Sequence, residues 1–154
     1  MEKKEVLIIT KVFCDVLGKY ALMFGDILEK NEKEFVEKRE NYIDVTMEFY
    51  GPARGLIGMI TTEDFCEQLN KNLLDKNDEY VTAGKYDSVK EFINIVCAQF
   101  VSTMYGEKNV FDFKLPRITN VGRDSWFAIT GEIGKKFVVE DNPVFIYTIL
   151  SQVN

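Results

Sequence analysis

Tyr42-Ile43-Asp44-Val45-Thr46-Met47-Glu48-Phe49-Tyr50, followed by Gly51-Pro52 and then Gly55-Leu56-Ile57-Gly58-Met59-Ile60, is the stretch that decides the fold. Ile43, Val45, Met47 and Phe49 alternate with Asp44, Thr46 and Glu48, the period-2 pattern of a strand buried on one face. Gly51-Pro52 turns the chain and the second run returns, so an antiparallel pair forms. Beyond it, Thr61 or Thr62 is placed to cap a helix that carries Glu63 and Asp64 in its first turn and buries Phe65, Leu69 and Leu73. Upstream, Ile9, Val12, Phe13, Val16, Leu17, Tyr20 and Phe24 recur at helical spacing, predicting a long helix from about Glu5 to Leu28. The charge-rich run Lys30–Glu40 has room for a short edge strand around Glu34–Lys38. Downstream, Lys76–Lys85 reads as a polar loop ending in Gly84, and a second long helix runs from Asp87 to Tyr105, stopped by Gly106. Strands are expected at Val110–Ile118, Ser125–Ile133, Phe137–Val139 and Pro143–Leu150. Strand pairs joined by tight turns and separated by helices predict an α+β fold. It is a largely antiparallel sheet, with two long helices and one shorter helix packed on one face. At 154 residues the chain is expected to be a single domain spanning 1–154.

Composition narrows the chemistry. The net charge of -6, with no basic stripe, argues against nucleic acid as a partner. The apolar run Val6–Ile9 is too short for a signal peptide, no segment approaches membrane-spanning length, and a cytoplasmic protein is expected. Cys14, Cys66 and Cys97 are odd in number, far apart and set in helical apolar patterns, so each is expected to be a small buried thiol rather than half of a disulfide or a metal ligand. The chain has no histidine. That removes Ser-His-Asp and Cys-His nucleophilic sites, histidine-based zinc sites and a phosphohistidine carrier. Carboxylates, amides and hydroxyls remain, together with any metal a partner brings.

One spaced set of such groups stands out. In Asp87-Ser88-Val89-Lys90-Glu91-Phe92-Ile93-Asn94, a turn of about 100° per residue aligns Val89, Ile93, Val96, Phe100 and Met104 on one side of the helix. Asp87, Glu91, Asn94, Ala98 and Tyr105 fall on the other. Glu91 and Asn94 are one turn apart and can address a single object, and small Ala98 lets another surface approach beside them. Outward helix faces are commonly just solvated, and Glu-x-x-Asn alone is a weak pattern. Glu67-Gln68-Leu69-Asn70, on the shorter helix, repeats it among Glu63, Asp64, Lys71 and Asn72 on what looks like an ordinary wet face.

Asp87-x-x-x-Glu91-x-x-Asn94 followed by Leu115-Pro116 resembles the signature of the CheC/CheX/FliY chemotaxis phosphatases. The Glu67–Asn70 copy has no proline at the equivalent distance. The order of elements is also similar: an amphipathic helix, a strand pair with the Gly55-Leu56-Ile57-Gly58 run, a short helix, the motif helix and C-terminal strands. Within this family the chain looks most like CheX, because the first long helix, at Lys11–Gly18, has no second Glu-x-x-Asn motif.

The resemblance implies a CheC-like domain that hydrolyses the phospho-aspartate of a CheY-type response regulator. Asn94 is then expected to position the attacking water and Glu91 to pair with the regulator's active-site lysine. Asp87, Ala98 and Pro116 are supporting residues: Asp87 at the helix start, Ala98 leaving room, Pro116 shaping a loop or strand edge. No cofactor of its own is implied, since the regulator supplies Mg²⁺, and a homodimer is expected. Cys97-Ala98-Gln99 follow Asn94 where the family commonly carries Ala-Gly-Asn or similar small residues. That difference favours the alternative of a non-catalytic CheC-like module that binds a regulator or a flagellar switch component.

Overall fold

The computed structural model describes residues 2–73 and 84–151. Most of the expected Lys76–Lys85 loop therefore lies outside the described residues. Helix α1 (Lys4–Tyr20) leads to strand β1 (Gly25–Ile27), helix α2 (Glu32–Glu37), the hairpin β2 (Asn41–Tyr50) and β3 (Arg54–Thr61), and helix α3 (Glu63–Leu73). Helix α4 (Asp87–Tyr105), strands β4 (Asp112–Phe113) and β5 (Arg117–Gly122), helix α5 (Arg123–Ala128), a 3-10 turn (Gly131–Ile133), β6 (Gly134–Val139) and β7 (Asn142–Ser151) follow. The seven strands form one sheet of order β1-β6-β7-β3-β2-β4, with β5 also pairing with β2, and every pairing is antiparallel.

The alternation in β2 places the sheet between two layers. Ile43, Val45, Met47 and Phe49 are buried against α1, α3 and α4 in the main core, with Ile9, Phe13, Leu17, Phe65, Leu69, Ile93, Val96 and Phe100. Tyr42, one residue out of phase, faces the opposite side and joins Val36, Ile60, Trp126, Phe145 and Tyr147 in a smaller core. The two glycines of the Gly-x-x-Gly run make room for aromatic rings on opposite faces. A Cβ at Gly55 would press on the Phe49 ring, and one at Gly58 would overlap the Tyr147 ring and hydroxyl. Tyr147 lies across Gly58 to donate to Asp44 Oδ1 at 2.8 Å. Burial lifts the Asp44 carboxyl above its usual range, and that hydrogen bond pulls part of the shift back.

Several expectations are corrected. The first helix stops at Tyr20, not near Leu28: Leu22 takes a left-handed φ of 56°, and Gly25–Ile27 pairs with β6 instead. Phe24, read as part of the helical stripe, is 84% exposed. Glu34–Lys38 lies in helix α2 and its C-cap rather than in an edge strand, because Val36 is buried in the smaller core and its carbonyl accepts from the Tyr42 hydroxyl at 2.6 Å. Ser125–Ile133 is helix α5 and the 3-10 turn. Trp126 must reach the smaller core, where it packs on Tyr42 and Phe145 and donates to Glu32 Oε1 at 3.2 Å. Tertiary burial of one large ring overrides the local pattern. These two small helices also give the sheet a second covering layer that the sequence did not announce.

Val110–Ile118 is not one strand. Phe113 pairs with Phe49 and Arg117 with Thr46, so Met47 and Glu48 on β2 oppose Lys114, Leu115 and Pro116. Three residues against two is a β-bulge. Pro116 sits in it on the sheet's outermost strand, where its missing N–H breaks no ladder bond. The bulge shifts the alternation by one, so that both Phe113 and Ile118 lie opposite inward-facing β2 residues, Phe49 and Val45. Of the cysteines, Cys66 and Cys97 are buried, and burial pushes both thiols up to about 12, whereas Cys14 is exposed on α1, contrary to expectation.

Candidate functional site

Helix α4 is held from both sides of its start. Thr62 Oγ1 accepts from Phe65 N–H at 3.1 Å and donates to Asn142 Oδ1 at 2.9 Å, which caps α3 and ties it to β7. From α3, Glu63 Oε1 then receives the Tyr86 hydroxyl at 2.8 Å and Lys85 Nζ at 2.9 Å. The hydrogen bonds from Lys85 and Tyr86 hold the Glu63 carboxyl below the usual carboxylate range. Asn70 adds a hydrogen bond from its side-chain amide to the Lys85 carbonyl at 3.1 Å. The Glu67-x-x-Asn70 copy is thus not simply a wet face: Glu67 is exposed, but Asn70 is half-buried and braces the segment leading into α4. Asp87 completes the turn: its Oδ2 accepts from Gly84 N–H at 2.6 Å, and its own N–H donates to the Gly84 carbonyl at 3.1 Å.

Past this anchor, α4 is amphipathic. Val89, Phe92, Ile93, Val96, Cys97, Phe100 and Val101 are buried, and the helix packs on α1 and on the sheet, with Phe92 edge-on to Phe13 and Phe65. Asp87, Lys90, Glu91, Asn94 and Ala98 are exposed. Glu91 and Asn94 therefore stand one turn apart on the solvent face, on a rigid helix whose other face cannot rotate without opening the core. Tyr105 is not part of that face: it is half-buried and packs against Phe49 and Phe111, with ring centroids at 6.2 and 5.3 Å.

Ala98 is one turn beyond Asn94 and borders a shallow cleft of about 270 Å³, whose other walls include Val101, Ser102, Phe111 and Phe113. The plain strand expected over Val110–Ile118 hides this cleft; the signal that could reveal it is Phe111 and Phe113 at alternate positions ahead of Leu115-Pro116. Pro116 is half-buried in the bulge three residues past Phe113. Among the described residues, no group of three or more Asp, Glu or Cys side chains is disposed to hold a metal ion, and no helix is long and apolar enough to cross a membrane.

The arrangement can present a carboxylate and an amide together to a second macromolecule, with open space beside them. Both side chains are exposed on the helix surface. Among solved structures, the fold is similar to that of the chemotaxis protein CheX from Desulfovibrio desulfuricans, at 13% identity over 97% of this chain and 100% of that one, TM-score 0.66. It is similar also to CheX from Vibrio vulnificus, at 16% identity over 97% and 100%, TM-score 0.64. A chain of the CheX–CheY–BeF3–Mg²⁺ complex from Borrelia burgdorferi matches at 15% identity over 94% and 97%, TM-score 0.54. At these identities the likeness is one of fold. No curated protein matches the chain. A family model for the chemotaxis phosphatase CheX matches residues 43–123, which hold most of β2 and all of β3, α3, α4 and the bulged edge strand. The match spans more than half of the 154 residues, and the chain belongs to the CheX family.

Proposed function

We propose that the protein is a phosphatase for the phospho-aspartate of a CheY-type response regulator. The observation that carries the reading is the exposed Glu91–Asn94 pair on a helix fixed by its buried face. Membership of the CheX family supports it, as does the likeness to a chain from a complex that contains CheY. An acyl phosphate is already reactive, so catalysis needs little beyond a positioned water and complementary charge. The Asn94 amide can both accept from and donate to one water and so hold it in line with phosphorus without acting as a base. Glu91 pairs with the regulator's active-site lysine, a contact that sets register between the two proteins more than it adds affinity. Asp87 steadies the helix start, and Ala98 leaves space for the regulator. The regulator brings its own Mg²⁺.

The alternative, a module that binds a regulator without hydrolysis, drew on Cys97-Ala98-Gln99 after the motif. Cys97 is fully buried in the core under α4, so its difference from the common pattern is one of packing rather than of the face offered to a partner. Ala98 is small, as the family pattern asks. The phosphatase reading is therefore preferred. It is tested by following loss of label from a phosphorylated CheY-type regulator with and without the protein. Acceleration that saturates with regulator concentration is expected. Binding with no acceleration would replace this reading with the binding-module one.

A further inference from the structure

Among the large apolar side chains exposed in the described structure, two groups lie at opposite edges of the sheet. One surrounds β1: Leu22 and Phe24 are 73% and 84% exposed. The other lies along the segment that follows α4: Val110, Phe113 and Leu115 are 82%, 39% and 87% exposed, and of these Phe113 lines the 270 Å³ cleft with Ala98. β1 is one edge strand and β4–β5 the other.

We infer that the Val110–Leu115 segment, with the cleft it shares with Ala98, is the affinity-determining docking surface for the regulator. This rests on the phosphatase reading and extends it from the reacting pair to the contact that holds the partner. The first ground is continuity: Ala98 lines the cleft and lies one turn from Asn94 on the same exposed face, so a protein seated on Asn94 lies beside Phe113. The second is area. A specific complex buries about 800 Å² per partner, and two polar side chains supply a small fraction of that. The third is chemistry. An exposed carboxylate–lysine pair gives register and little net affinity, whereas a few well-packed residues near an interface centre carry most of the binding, and the cleft offers Phe111 and Phe113 as such a centre. The occupant is the regulator's surface around its phosphorylated aspartate, presenting apolar side chains to the cleft. The bulge serves this purpose: it breaks the edge strand, so that Leu115 is left almost wholly in solvent rather than folded into the ladder.

The test compares wild type, Val110→Ser/Leu115→Ser and Phe24→Ser with a phosphorylated CheY-type regulator, and separately with the same regulator carrying beryllofluoride and Mg²⁺. The double variant is expected to raise both KM and the dissociation constant roughly tenfold or more, with the rate at saturation retained and the melting temperature unmoved. Phe24→Ser should alter neither constant. Unchanged KM and Kd in the double variant would overturn the inference while the phosphatase reading stands. So would a double variant that shifts only self-association, which would make the patch a contact between copies of this chain. If wild type neither binds nor accelerates, the phosphatase reading itself fails and this inference falls with it.

Discussion

The Glu-x-x-Asn pattern occurs twice, and the two copies sit in different surroundings: Glu91 and Asn94 are both exposed, whereas Asn70 is half-buried and bonded to the Lys85 carbonyl. Replacing Glu67 and Asn70 together by Ala should leave dephosphorylation within about twofold of wild type yet lower stability measurably. Glu67 is exposed, and exposed substitutions usually fall within about ±0.5 kcal/mol. Asn70 donates to the Lys85 carbonyl at 3.1 Å from a half-buried position, and the loss of one such bond costs about 0.5–1.5 kcal/mol. The Asn70 contribution alone, about 0.5–1.5 kcal/mol, corresponds to a melting temperature lower by roughly 1–6 °C for a chain of this size. Glu63, which holds Tyr86 and Lys85 independently, keeps the start of α4 in place. Thermal melts and initial rates of phospho-regulator decay, measured on the same preparations, give both numbers. A rate loss of tenfold or more without unfolding would refute the assignment of α4 as the working helix. An unchanged melting temperature would refute the bracing role of Asn70.

Three other outcomes are expected. Ile93→Ala, one residue from Asn94 but fully buried in the core, should cost about 2–5 kcal/mol by leaving a cavity, read as a shifted denaturation midpoint with an unchanged saturating rate at low temperature. Tyr147→Phe removes the hydroxyl that bonds Asp44. Because the folded Asp44 carboxyl titrates above its unfolded value of about 3.9, stability falls as pH rises through the folded value. Losing the hydrogen bond moves that value higher still, so the deficit should be largest near neutral pH and shrink as the pH drops. A deficit that grows in acid would contradict the pairing. Sedimentation at micromolar concentration should report a homodimer joined partly through the sheet, whose edge strands need cover; a strict monomer would count against that assembly.

How much of this was legible in the sequence follows from what each signal depends on. The β2–β3 hairpin and α4 were readable nearly to the residue, since Ile43-Val45-Met47-Phe49 and Val89-Ile93-Val96-Phe100 each carry one unambiguous period against one core. Capping was readable where a side chain does it locally, as Thr62 does for α3. The failures share a cause: they depend on contacts distant in sequence. Trp126 is helical because Tyr42 and Phe145 await it across the sheet, and α2 forms where the Tyr42 hydroxyl needs the Val36 carbonyl. The bulge at Lys114–Pro116 emerges only when β2 is laid alongside. For the candidate site, the exposed placement of Glu91 and Asn94 on one face of α4 was readable from periodicity, whereas the cleft beside Ala98 was not, because it is made by the chain folding back past α4.

The most direct test of the central claim is the rate of phospho-regulator decay with Asn94→Ala, measured beside wild type and beside a thermal melt. Asn94 is exposed on α4, so stability should stay within about 0.5 kcal/mol, while loss of the group that holds the water should reduce the acceleration roughly 10²–10³-fold. An Asn94→Ala protein that is folded and retains the wild-type rate would contradict the account.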